Sequence, residues 1–348
     1  MLALNAFRIV KTALTHTSFS NREKNMESNS ANSRLAYLPI AFFAMVMGLS
    51  GLTIAWEKAQ QTYQLDLGIT LPLLSIAASV FALLLIAYLL KSFKYSSAVT
   101  QEWKHPVKLS FFPTISISLL LLSVAFLEIN HDVANILWLA GATLHLIFTL
   151  AVINMWMHHE HFQVQHMTPA WFIPAVGNVI VPIGGTASGY IEISWFFFSI
   201  GMLFWIVLLT LAFNRIIFHT PIDARLMPSL FILIAPPAVG FIAYMRLNHG
   251  DLDNFARILY FAGLFLTLLL FTQIGRFARL QFALSWWAYS FPLAAITIAS
   301  FVMFDKTQVS AYLWIATGLL VILTAVVLML FVKTLMAAIK GKICVPGH

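Results

Sequence analysis

Ten apolar runs fill most of this chain, at residues 35–56, 69–90, 108–127, 133–157, 169–190, 194–214, 226–245, 256–275, 281–304 and 310–333. A helix rises about 1.5 Å per residue and the hydrocarbon core of a bilayer is roughly 30 Å thick, so about 20 apolar residues cross it. Each run has that length, and none holds Lys, Arg, Asp or Glu in its interior except Arg257 at the edge of the eighth. Only 9% of the residues are charged, against roughly 25% in soluble domains, so the solvent for most of the surface is lipid. Connectors such as Glu128 to Asp132 and Tyr190 to Ile193 are short. They join consecutive runs into antiparallel hairpins. The expected fold class is an all-α integral membrane protein of ten transmembrane helices.

The net charge of +7 does not form a stripe suited to nucleic acid, and none is expected as a partner. The basic residues lie at the ends of the runs, where they set orientation. With the N-terminus inside, 16 of the 20 Lys and Arg fall on inside segments; Lys58, Arg246, Arg257 and Lys306 fall outside. Both termini are therefore expected to be cytoplasmic. Residues 1–34 are expected to form a disordered cytoplasmic tail, rich in Asn, Ser, Glu and Lys from Asn21 to Arg34. No cleavable signal pattern precedes the first run, and Met26 is a candidate alternative start. Residues 35–335 form the membrane domain and 336–348 a cytoplasmic C-terminal tail. The single cysteine, Cys344, excludes an internal disulfide.

Proline organises the runs. Pro39, Pro113, Pro174, Pro236 and Pro292 fall in the odd-numbered runs at intervals of 74, 61, 62 and 56 residues, one hairpin each. Among even runs only the second carries one, Pro72 in its first turn, where proline is harmless. A proline removes one helix hydrogen bond. In lipid the freed carbonyl must face protein or a water-filled cavity. The odd helices are thus expected to be inner and kinked, the even ones outer, with five hairpins around a central pore. Gly48, Gly51, Gly177, Gly184, Gly185, Gly189 and Gly240 also lie on odd runs, and serve either close packing or pore space. The candidate pore-lining or kink residues are Pro39, Gly48, Pro113, Pro174, Gly177, Pro236, Gly240 and Pro292.

Little chemistry is available along such a path. No acid or lysine sits mid-span to relay protons. His145 is the only clearly intramembrane ionisable residue, and is read as packed and hydrogen-bonded. Hydroxyls at Thr114, Ser116, Ser118, Thr186, Ser188, Ser290 and Thr297 add weak polarity. His158, His159, Glu160, His161 and His166 cluster on one loop, but spell neither H-E-x-x-H nor its inverse. No metal, no cofactor and no enzymatic activity is expected. A path that binds weakly, with a basic inner face, suits the passage of anions.

The ninth run reads Trp286-Trp287-Ala288-Tyr289-Ser290-Phe291-Pro292-Leu293. It resembles the matching helix of the tellurite-resistance/dicarboxylate transporter superfamily, which includes the slow-type anion channels of plant guard cells and bacterial relatives. The stretch Pro169-Ala170-Trp171 through Pro174 to Val176-Gly177-Asn178, and the first run from Leu38-Pro39-Ile40-Ala41 through Met45 to Gly51, are similar to that family as well. The resemblance implies a homotrimer with one pore per subunit, in a bacterial inner (plasma) membrane. It also implies that Phe291 is a gate plugging the pore. The function expected is a gated channel passing small inorganic anions such as chloride and nitrate. The alternative is a secondary transporter of C4-dicarboxylates, sulfite or tellurite-related oxyanions.

Overall fold

The structure is a computed structural model that describes residues 34–158 and 162–345. Most of the expected N-terminal tail, Met26, the triplet His159, Glu160 and His161, and residues 346–348 lie outside that range. Among the described residues the secondary structure is helical, with no strand. Among the described residues nine helices are long and apolar enough to cross a membrane: Ile40–Tyr63, Thr70–Lys94, Lys108–Phe126, His131–His158, Ile191–Phe218, Met227–Leu247, Asn254–Phe271, Leu284–Thr307 and Ser310–Ile339. Nine of the ten expected spans are in this group; the fifth, expected to be kinked, is not. There the apolar stretch Pro169–Gly185 is shorter and is cut into four pieces, Pro169–Trp171, Phe172–Val176, Gly177–Ile180 and Val181–Gly185. Pro174 and Pro182 cannot donate to a helix ladder, and Gly177, Gly184 and Gly185 give it little support.

Burial divides the segments into two groups. In the first, third, seventh and ninth, 72–78% of an 18-residue window is buried; in the five even segments the share is 22–39%. Every residue from Met167 to Gly185 in the fifth is buried. The odd segments touch in the cyclic order first, third, fifth, seventh, ninth and back to first, and the even segments pack outside them. The expected inner and outer rings are thus present.

The breaks take one form throughout. Each inner segment begins as a 3-10 helix on the face that carries Arg34, Lys108 and Arg225, then switches to α. Proline stands at the switch: Pro113 precedes Thr114–Phe126, Pro236 is the second residue of Ala235–Leu247, and Pro292 is the third of Ser290–Thr307. N–H groups of the first helical turn have no intrahelical acceptor, so a residue without one costs little there. In the seventh segment the 3-10 stretch Met227–Ile234 is eight residues long, about twice the usual length.

A buried, broken backbone needs outside partners. The fourth helix supplies them to the fifth segment. Thr149 donates to the Pro174 carbonyl at 2.7 Å, and Trp138 Nε1 to the Val181 carbonyl at 2.8 Å. Asn178 Nδ2 donates to the Ala175 carbonyl at 2.7 Å and to Thr149 at 3.1 Å. His145, fully buried, holds its Nδ1 2.9 Å from Ser116 Oγ. Ser116 uses its own proton on the Pro113 carbonyl at 2.8 Å, so it accepts from Nδ1–H. Trp138, His145 and Thr149 share one helix face, spaced seven and four residues apart.

The ring closes where the first helix meets the ninth. A Cβ on Gly48 would fall 2.2 Å from Ser290 Oγ, and one on Gly51 2.8 Å from the Ala294 Cβ. Only glycine admits this approach, which places the first helix directly against the turn carrying Phe291.

Candidate functional site

A cavity of about 370 Å³ opens on the face bearing Lys108 and Arg225, and all five inner segments contribute to its wall. Its lining is mostly aliphatic and aromatic. The last lining residues along the five segments are Met47, Ile117, Ile180, Val239 and the Phe291–Pro292 pair, one contribution from each. The void therefore reaches part of the way along each inner segment and ends among apolar side chains. Phe291 is half-buried there, packed beside the core. Its Cδ2 lies 3.5 Å from the point where a Gly51 Cβ would be.

The sequence candidates divide on this map. Phe291, Pro292, Pro39, Pro236 and Gly177 line the cavity. The others lie off its wall. Gly48 faces Ser290 and Trp287, while Gly240 faces Met202 and Leu259 of the outer ring. Pro113 and Pro174 are buried at their helix junctions. Gly177 has a second neighbour behind it: a Cβ there would come within 2.8 Å of both His145 Cε1 and Ile117 Cδ1. Of the seven hydroxyls named from the sequence, Thr114 alone is in the lining. Ser118, Thr186, Ser290 and Thr297 donate to carbonyls of their own segments.

Positive charge is confined to the rim, at Lys108, Arg225 and, when protonated, His105. His105 Nδ1 accepts the backbone N–H groups of Val107 at 3.2 Å and Lys108 at 3.3 Å. That fixes the neutral tautomer with the proton on Nε2. Burial, then the charges of Lys108 and His166, hold its pKa below the usual imidazole range.

Sequence reasoning missed two features of the wall. Thr168 is 3% exposed, lines the cavity, and its hydroxyl has no hydrogen-bond partner among the described residues. Lys91, read as an orientation marker, is 1% exposed and paired with Glu102 at 2.6 Å. Glu102 sits on a short helix, Ser96–Lys104, within what reads as a polar connector, and lines the cavity. The pairing was invisible because a helix break separates the partners, so no periodicity links them. Thr168 carries no signal beyond standing just before Pro169.

Comparison with known proteins agrees with this geometry. The chain is 29% identical to the S-type anion channel SLAH2 of Arabidopsis thaliana over 280 residues, covering 78% of this chain and 54% of the relative. It is 28% identical to the tellurite resistance protein TehA homolog of Haemophilus influenzae over 264 residues, covering 74% and 79%. It is 25% identical to the uncharacterized transporter MJ0576 of Methanocaldococcus jannaschii over 331 residues, covering 88% and 95%. The chain spans about half the length of the plant channels SLAH2 and SLAH3 that it matches. The family profile described as SLAC1, voltage-dependent anion channel, matches residues 37–335. With its apolar helical segments in two rings and a basic-rimmed central cavity, this multi-pass membrane protein belongs to the SLAC1 family of voltage-dependent anion channels.

Proposed function

We propose that the protein is a gated, passive channel for small monovalent anions such as chloride and nitrate, plugged at mid-depth by Phe291. One observation carries this reading: the cavity has cations only at its rim, a mostly apolar wall drawn from every inner segment, and Phe291 among the last residues that line it. Rim charge raises the local anion concentration. The apolar wall offers no tight site, so an anion that enters can leave. The basic rim faces the cytoplasm of a bacterial inner membrane, in line with the distribution of Lys and Arg, and the protein works as a homotrimer with one pathway per chain.

Flux into proteoliposomes tests the reading. A chloride or nitrate gradient alone is expected to drive a current whose reversal potential follows the anion gradient. Saturable uptake of malate or sulfite without any such current would replace the channel by a carrier.

The state of His105 gives the pathway a pH dependence. Its pKa is held low by burial, Lys108 and His166, so at neutral pH it adds no charge. Acidification on the basic face protonates it, at the cost of the two backbone N–H groups that Nδ1 accepts. The rim then gains one positive charge. Anion flux is expected to rise modestly, by about twofold in low salt, as the pH there is taken from neutral to below the usual imidazole range, and less in high salt. His105→Gln should remove the rise; an unchanged pH profile in that variant would show that another group titrates.

A further inference from the structure

The carboxylate of Glu102 occupies a site built for an anion. Its Oε2 accepts from the Lys91 ammonium at 2.6 Å and from the Tyr88 hydroxyl at 2.9 Å. Its Oε1 accepts from the backbone N–H of Ile40, the first residue of the first inner segment, at 3.4 Å. A full positive charge, a hydroxyl and a helix-start N–H thus converge on one small group. None of these donors belongs to the short helix Ser96–Lys104 that delivers the carboxylate. The donors stand on the second helix and at the start of the first. Lys91 is anchored independently by the Leu38 carbonyl at 2.8 Å, so the donors keep their places when the guest is removed. Glu102 also lines the central cavity beside Pro39 and Ile40, which gives a dissolved anion a way in.

The geometry points to a second anion site beside the pathway, filled by the chain's own carboxylate, which takes a small planar oxyanion when Glu102 is withdrawn. The shape of the guest selects the ligand class. The two carboxylate oxygens are used separately, one by Lys91 and Tyr88 and the other by Ile40. Formate and nitrate present two oxygens at similar spacing on one trigonal centre and can satisfy all three donors. A spherical chloride can meet one set or the other. Glu102 therefore acts as a tethered competitor, and the connector helix Ser96–Lys104 is the element whose position decides who occupies the site. The chemistry of the site stands apart from conduction; only its value to the cell rests on the channel reading.

Glu102→Ala tests this. Thermal unfolding of the purified variant is followed in formate, nitrate, chloride and gluconate at one ionic strength. Formate and nitrate are expected to raise its melting temperature saturably by about 5 °C, as a ligand bound only to the folded state does. Chloride should do less and gluconate nothing. The wild type and the double variant Lys91→Met/Glu102→Ala should show no such anion-specific shift. Should Glu102→Ala be unfolded in gluconate, it is expected to be recovered folded in formate and lost on exchange to gluconate. Equal shifts in the double variant, no shift in folded Glu102→Ala, or failure to fold in formate would each overturn the site. A protein that conducts nothing would still give these melting shifts, so the flux measurements and this experiment fail independently.

Discussion

Phe291→Ala is expected to raise chloride and nitrate flux by about tenfold or more over wild type, measured as current or as liposome flux at equal protein. Each 1.36 kcal/mol removed from a barrier gives about tenfold in rate, and a dry apolar constriction raises a barrier of at least that size for a hydrated anion. Phe291 lines the cavity, and the last lining residues along the other four inner segments are Met47, Ile117, Ile180 and Val239. The Phe291 backbone cannot easily retreat, because the first helix lies against it at Gly51. Truncation to a methyl leaves an opening that no neighbour fills without moving a whole helix. Phe291→Leu, with a smaller blocking group, should fall between the two. Since the side chain is only half-buried, the melting temperature should change little. A folded Phe291→Ala protein with wild-type flux would remove Phe291 from the pathway.

Lys91→Met is expected to lower stability by about 3–5 kcal/mol. The residue is 1% exposed and Glu102 is 8% exposed, so the substitution leaves a largely buried carboxylate at the cavity wall with only Tyr88 and the Ile40 N–H as protein partners. The loss is the desolvation of an unpaired charge rather than the worth of the pair. For that reason Lys91→Met/Glu102→Gln should recover most of it: the amide oxygen still accepts from the Ile40 N–H, its NH2 can donate to the Tyr88 hydroxyl oxygen, and it carries no charge. Thermal unfolding in one detergent compares the three proteins. A single variant as stable as wild type, or a double variant no better than the single, would show that the pair does not hold the first segment in place.

What was legible in the sequence follows from how strongly physics constrains it. The apolar runs and the alternation of proline set the two rings, because a polar backbone group has few solutions in lipid. The same argument located the breaks but not their form. A proline between apolar residues reads as a bend, and the switch from 3-10 to α at Pro113, Pro236 and Pro292 depends on packing that one chain does not spell out. Phe291 could be named only through the family resemblance of the Trp286–Leu293 stretch, since phenylalanine beside proline has no local signature. Lys91 and Glu102 were missed for a different reason. A lysine at a helix end is expected for orientation alone, and its burial depends on where a nine-residue connector helix lies.

The 3-10 turns also change how far a given length of chain can reach. Such a helix advances about 2.0 Å per residue, against about 1.5 Å in the α form. The Pro169–Gly185 stretch has seven of its residues in 3-10 pieces and ten in α pieces. Its contour is therefore about 29 Å, where a continuous α-helix of the same residues would measure about 26 Å. That brings a stretch too short by residue count close to the roughly 30 Å of hydrocarbon it has to match. Breaking the helix thus lengthens it, and Trp138 and Thr149 of the fourth helix supply hydrogen bonds that the longer, interrupted form gives up.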